Sequence, residues 1–395
     1  MHSSVLNAAS LLLGTRLAAA EFLYVSSYDG NVTTLDLTSA AGVDNPLVLK
    51  TVSTSQGCGE NPSWLQLDHA NSVLYCVDEG FDTGGSLSSL RTNNDGSLTS
   101  LDTAATIVSP VSAVLFGTNG LAMAHYDNAF TTWNIANLSK LENVQTVTFT
   151  GKGPNPDRQE GPHPHQAVLD PTGKFLVVPD LGTDQLHLYS FDPKSLKTAA
   201  LAPVKVPAGY GPRHIAFASR GDRTFAYLRC EMADAIIGYQ VTYNRGIQFK
   251  QLLSKKTHRK RSANKRDEDA GPEGSEIVVS VSAFNLSSAH SLPASVGDLN
   301  LEIPAFGVNG TIKSDPLVNY AIKDDGSLAF LQNVPAGGDL PRQFSINKAG
   351  TRVAVGLQND HQVVVIERDP KTGKLGKFVA YAKISGEVTS VVFNE

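Results

Sequence analysis

Gly161–Asp192 reads GPHPHQAVLDPTGKFLVVPDLGTDQLHLYSFD, three strand-like runs divided by two turns. QAVLD alternates apolar and polar residues, Asp170-Pro171-Thr172-Gly173 has turn chemistry, and KFLVVPD is a mostly apolar run. LGTDQ is a second turn, and LHLYSF alternates again. The stretch therefore predicts an antiparallel meander.

The pattern returns along the chain. GPRHIAFASRGDRTFAYLRCEMADAIIGYQV begins at Gly211, LPRQFSINKAGTRVAVGLQNDHQVVVIERD at Leu340, NPSWLQLDHANSVLYCVDEG at Asn61, and a weaker copy, SPVSAVLFGTNGLAMAHYDNAFTTWNI, at Ser109. A period of roughly 50 residues holding about four short strands is the mark of a β-propeller blade. From Val241 to Leu340 the spacing doubles, so a degenerate blade is expected between them. That makes seven blades. The tail GEVTSVVFNE resembles the first strand of a unit, whereas FLYVSSY from Phe22 resembles a second strand. One blade is then completed from both chain ends, which closes the ring and removes exposed sheet edges. The fold expected is all-β, a seven-bladed propeller spanning 21–395 as one domain.

Charged residues make up 18% of the 395, below the usual ~25%, and the net charge is −5. No global attraction to nucleic acid or anionic lipid follows, and no apolar run is long enough for a membrane span. Residues 1–20, MHSSVLNAASLLLGTRLAAA, end an apolar stretch in a small-residue triplet, the pattern of a secretory signal cleaved before Glu21. A secreted or cell-wall location is expected. Sequons at Asn31, Asn137, Asn285 and Asn309 would then be glycosylation candidates. Of three cysteines, Cys58 and Cys76 are the disulfide candidates, with Cys230 left buried in a strand. Residues 255–275 carry a basic and then acidic block with Gly271, Pro272 and Gly274, an inserted solvated loop.

The innermost strand of each blade lines the central channel, so residues just after the Gly-Pro or Leu-Pro that opens it converge from several blades. Those positions are unusually polar: His163, His165, Arg213, His214 and Arg342. Loops leaving the second strands add Asp180, Glu231, Gln358 and the pair Asp78-Glu79. Arginines in such a set hold carboxylates and stabilise developing negative charge, while a histidine and a glutamate exchange protons. A His-x-His pair with Asp180 is the one candidate metal set, but no further ligands cluster with it. No metal and no cofactor are expected.

GPHPHQAVLDPTGKFLVVPDLGTDQLHLY and GPRHIAFASRGDRTFAY resemble the lactonase propeller family, which contains bacterial 6-phosphogluconolactonases and fungal carboxy-cis,cis-muconate cyclases. In the cyclase branch the resemblance implies a metal-independent site of one His, two Arg and one Glu. On this chain these are His165 in PHPHQ, Arg213 in GPRH, Glu231 in LRCEMAD and Arg342 in LPRQF. His165 is then the general acid/base and Glu231 its orienter or alternate. His163, His214, Asp180 and Gln358 are substrate-side candidates, although bridging between blades is the commoner task of channel residues such as His163, His187 and His214.

The expected activity is reversible lactone ring formation or opening on a carboxylated small molecule, by a cyclase or a lactone hydrolase. A phosphorylated sugar lactone is the least expected substrate, because no basic cluster accompanies the two arginines. The alternative is a non-catalytic secreted propeller used for adhesion or ligand binding. No oligomeric state follows from the sequence.

Overall fold

The structure, a computed structural model, describes residues 21–38, 46–81, 84–257, 273–280, 285–291 and 301–395. The signal segment 1–20 and most of the charged loop, 258–272, lie outside the described residues. Among the described residues there is no helix, and seven antiparallel sheets of four main strands form a closed ring.

Blade 1 runs, from the channel outward, Val388–Phe393, Phe22–Ser27, Asn31–Asp36 and Lys50–Ser55, so the two chain ends meet as first and second strands. Blades 2 and 3 are Pro62–Asp68, Val73–Asp78, Ser86–Thr92, Leu98–Ala105 and Pro110–Phe116, Gly120–His125, Ala129–Asn134, Glu142–Thr148. Blade 4 holds Val168–Leu169, Phe175–Asp180, Gln185–Phe191 and Thr198–Ala200, and blade 5 Pro212–Arg220, Arg223–Cys230, Ala235–Thr242 and Gln248–Lys256. Blade 7, Pro341–Ile346, Arg352–Leu357, Gln362–Arg368 and Leu375–Lys383, gains Leu47–Val48 as a parallel edge strand.

The sixth blade is not degenerate. Glu273–Ser280, Asn285–Ser291, Pro316–Ile322 and Leu328–Pro335 form a complete sheet, and a hairpin of Leu301–Pro304 with Thr311–Ser314 is inserted between its second and third strands. The insertion and the charged loop together account for the doubled spacing. The loop is also shorter than 255–275, because Lys255 and Lys256 end the outer strand of blade 5 and 273–275 begin blade 6.

The core is not central but divided into seven apolar slabs, one between each pair of neighbouring blades. This explains why second strands read as continuous apolar runs. In FLVVPD, Leu176 and Val178 pack toward blade 3 and Val177 toward blade 5, so both faces of the strand are buried. The turn after QAVLD is held by Asp170, whose carboxylate accepts from the N–H groups of Thr172, Lys174 and Phe175, with Gly173 at φ +68°.

Cys58 and Cys76 are joined as a disulfide, with Cα atoms 5.6 Å apart, and Cys230 is a buried free thiol. The bridge staples the chain leaving blade 1 to the second strand of blade 2. Non-reducing peptide mapping should recover the two cysteines as one linked pair; finding both alkylated without reductant would show that the bridge does not form in solution. Among the sequons, Asn137 and Asn309 are exposed and Asn31 is half-buried. Asn285 is corrected: it is 2% exposed, and its Nδ2, the atom a glycan would take, donates to the Thr372 carbonyl at 2.7 Å.

Candidate active site

In four blades the innermost strand opens on proline, Pro62, Pro110, Pro212 and Pro341, and in blade 4 Pro164 makes an isolated bridge to Asp180 ahead of the strand. A residue without an N–H fits the first position of a strand. In blades 2, 3, 5 and 7 the ladder then skips one residue, Ser63, Val111, Arg213 and Arg342, and blade 1 skips Thr389. This bulge leaves one side chain per blade unpaired at the channel rim. Where it is a hydroxyl, it latches the next blade: Thr389 Oγ1 donates to the Pro62 carbonyl (2.6 Å), Ser63 Oγ to Pro110 (2.9 Å) and Ser275 Oγ to Pro341 (2.5 Å). In blades 4, 5 and 7 the residue after the proline is His165, Arg213 and Arg342. Those three are not used as latches.

One residue deeper, a second ring ties blades together. Ser112, Gln166, Gln343 and Ser390 accept the N–H of Ala167, Ile215, Val391 and Leu65 in the following blade. Blades 2 and 5 break this pattern with Trp64 and His214, whose rings meet edge-on at 5.9 Å from well-separated blades.

Glu231 follows the second strand of blade 5 and is 1% exposed. Its carboxylate accepts from Arg213 Nη1 on one oxygen and from Arg158 Nη2 on the other. Burial alone would push this carboxyl up, but the two guanidiniums outweigh it and hold the group below the usual carboxylate range. Glu231 therefore fixes arginines and is not the orienter of His165 expected from sequence.

Arg342 is held in turn. Its Nη2 donates to the Tyr28 hydroxyl (2.8 Å) and its Nη1 to Gln358 Oε1 (3.2 Å). The Tyr28 hydroxyl donates to Glu79 Oε2 (2.6 Å), and Gln358 Nε2 donates to Glu387 (2.8 Å). Burial pushes the Glu79 carboxyl up, against the pull of Arg342 and the Tyr28 hydrogen bond. Gln358 is thus a support for Arg342.

His165 is 8% exposed, flanked edge-on by Tyr126 at 5.8 Å and His214 at 5.2 Å. Burial first, then the Arg213 guanidinium, the repulsion His214 would exert if both rings were protonated, and Arg342 hold its imidazole well below its ordinary range. It is neutral at pH 7. Glu79 also feels both Arg342 and Arg213, so the arginines of blades 5 and 7 share one electrostatic neighbourhood with His165 and Glu231.

Three substrate-side candidates are corrected. Asp180 is 0% exposed, and its oxygens accept from the N–H groups of His163, Gly182 and Thr183, the Thr183 hydroxyl and His187 Nε2. It organises a turn and has nothing left for a ligand. His163 stacks on Tyr126 at 4.3 Å, with Nδ1 at the Tyr126 carbonyl (3.1 Å) and Nε2 at Glu160 (3.0 Å). His214 is buried with Nδ1 on Glu276 Oε1 at 2.9 Å.

Arg158, Tyr28, Tyr126 and Glu276 were not anticipated. Arg158 comes from the loop before blade 4, where buried Gln159 donates to the Leu181 carbonyl (2.8 Å) and Asn155 Oδ1 accepts the Arg158 N–H (3.2 Å). The only signal was the Asn-Pro-Asp turn chemistry of that loop. Among the described residues, no group of three or more His, Cys, Asp or Glu side chains could hold a metal ion.

Comparison with known proteins agrees with this architecture. The chain is 28% identical over 370 residues to the Arthroderma benhamiae protein named "Probable 6-phosphogluconolactonase", covering 92% of this chain and 86% of that one. It is 26% identical over 322 residues to the 6-phosphogluconolactonase of Bacillus subtilis, covering 80% and 82%. The periplasmic gluconolactonase of Pseudomonas aeruginosa superposes with a TM-score of 0.74 at 24% identity, over 95% of this chain and 99% of that one. The family described as Lactonase, 7-bladed beta-propeller matches residues 22–393, and the chain belongs to it.

Proposed function

We propose that this protein hydrolyses a lactone bearing an anionic group, with His165, Arg213 and Arg342 at the reacting bond. The observation that carries this reading is a buried imidazole within electrostatic reach of two guanidiniums that are themselves held in place by Glu231, Tyr28 and Gln358. His165 takes a proton from water as the water oxygen bonds to the lactone carbonyl carbon. The carbonyl oxygen becomes an oxyanion against Arg213 and Arg342. When the tetrahedral carbon collapses, the ring C–O bond breaks and His165 returns the proton to the departing oxygen, giving a hydroxy acid. The two arginines depress the basicity of His165 in the empty site. Negative charge developing beside them offsets that effect, so the imidazole becomes a better base as the transition state forms.

Arg158 changes the argument about substrate. Three guanidiniums, Arg158, Arg213 and Arg342, gather at this end of the channel with Glu231 and Glu79 among them, a setting that suits an anionic substituent. Phosphate is thereby restored beside carboxylate as that substituent, in keeping with the names of the two sequence relatives. The cyclase reading loses support, because Glu231 is engaged by two arginines and is not a second proton-transfer group beside His165. The purified protein should be assayed against 6-phosphogluconolactone, gluconolactone and carboxymuconolactone. Faster opening of the charged lactones supports the reading, and no opening of any lactone would end it. His165→Ala is expected to lower kcat by about 10²–10⁴-fold.

We also propose secretion, supported by the buried Cys58–Cys76 bridge, which an oxidising compartment favours. Mature protein from the native host should begin near Glu21; material beginning at Met1 would overturn this.

A further inference from the structure

We propose that Glu276 and His214 form a relay that fixes the tautomer of His165, leaving its Nε2 lone pair facing the rim as the base. The inference rests on the role given to His165 above and adds two positioning residues from blades 5 and 6.

The chain of reasoning starts at the buried end. Glu276 Oε1 already accepts the Ile277 N–H at 2.8 Å, and His214 Nδ1 lies 2.9 Å from the same oxygen. An oxygen used as an acceptor calls for a donor opposite, so His214 carries its proton on Nδ1. With His214 neutral, its Nε2 is then a lone pair. That nitrogen is buried and has no hydrogen-bond partner, and His165 Nδ1 is likewise buried and without one. The two rings lie edge to face with centroids 5.2 Å apart, a spacing at which a nitrogen of one ring can reach a nitrogen of the other when both point along the line between them.

Leaving both buried atoms unsatisfied forfeits the hydrogen bonds each had with water in the unfolded chain. Two lone pairs cannot satisfy one another, but a proton on His165 Nδ1 satisfies both. His165 Nδ1–H therefore donates to His214 Nε2, and the other nitrogen of His165 is left unprotonated. A base oriented by a second group, itself oriented by a carboxylate, is the logic of nucleophile-activating triads. Here the orienter is a second imidazole. Trp64 of blade 2 meets His214 edge-on at 5.9 Å.

The test is the tautomer of His165, read from imidazole nitrogen shifts in 15N-histidine-labelled protein. Wild type should show His165 protonated on Nδ1. His214→Phe, which keeps a flat ring but has no lone pair, should move the proton to Nε2 and lower kcat on the order of 10–10²-fold with KM little changed. His214→Gln offers a carbonyl oxygen to His165 and an N–H to Glu276, and should restore the Nδ1 tautomer and most of the lost kcat. A wild-type His165 protonated on Nε2 would overturn the relay without any variant being made. So would a folded His214→Phe protein with unaltered tautomer and kcat. The shifts need no substrate, so absence of lactone opening would end the functional reading while leaving the relay standing.

Discussion

Arg213→Ala is expected to lower kcat/KM on the true lactone by on the order of 10²–10³-fold, about 2.7–4 kcal/mol, as for loss of one donor to a developing oxyanion. The same change strips Glu231 of one of its two cationic partners. Removing one member of a buried ion pair costs about 3–5 kcal/mol, and the loss here falls toward the lower end because Arg158 remains. The stability effect has a defined pH dependence. In the wild type the folded-state carboxyl of Glu231 is held below its usual range, so its contribution is present above the ordinary carboxylate range near ~4. It is lost as pH falls through the depressed folded-state value. The gap in Tm between wild type and Arg213→Ala should therefore be widest at neutral pH and close in acid. A gap constant from neutral pH into acid would mean that Arg213 stabilises by packing and not through Glu231. A folded variant with wild-type kcat/KM would remove Arg213 from the chemistry.

The blade repeat was legible because each second strand is squeezed between two slabs of core, which forces runs such as FLVVPD and VLYCVD, and because the turns between strands need Asp, Asn or Gly. The rim was legible too. A proline at the start of the inner strand, or just ahead of it in blade 4, marks the rim, and the residue after it is His165, Arg213 or Arg342 in three blades and a serine or valine in two others. What each rim residue touches was not legible. Tyr28 reaches Arg342 across 314 positions of chain, and Arg158 arrives on a loop with no periodicity. Asp180 and His163 looked available because polar residues beside a channel suggest ligands. In the folded chain Asp180 accepts the His163 backbone N–H and those of its own turn, while the His163 ring is held by the Tyr126 carbonyl and Glu160. Glu276 was hidden at the margin of a charged block, where a carboxylate reads as solvated surface. The sixth blade looked decayed because an inserted hairpin interrupts its period without breaking its sheet.

Deleting Gly386–Glu395 is expected to abolish the folded monomer. Val388, Val391 and Phe393 are buried in the slab shared by blades 7 and 1, with Leu23, Val25, Val363 and Val365. Burying side chains of this kind is worth about 1.5–3 kcal/mol each, so three contribute roughly 5–9 kcal/mol. That is comparable with the whole stability of a typical domain, about 5–15 kcal/mol. The strand also carries a disproportionate share of the ring's polar ties. Thr389 reaches both Ser26 Oγ (2.8 Å) and the Pro62 carbonyl, Ser390 accepts from Leu65, and the Val391 N–H donates to Gln343 at 2.8 Å, so blades 7, 1 and 2 are joined through six residues. Without them, Phe22–Ser27 loses its ladder partner and becomes an apolar edge open to other chains. Size-exclusion chromatography should show aggregate in place of monomer. Supplying a synthetic Gly386–Glu395 peptide during refolding should recover monomer in proportion to peptide added. A truncated protein that stays monomeric and melts within a few degrees of full length would show that the ring is held closed by its blade interfaces alone, and that the meeting of the two chain ends is not what closes it.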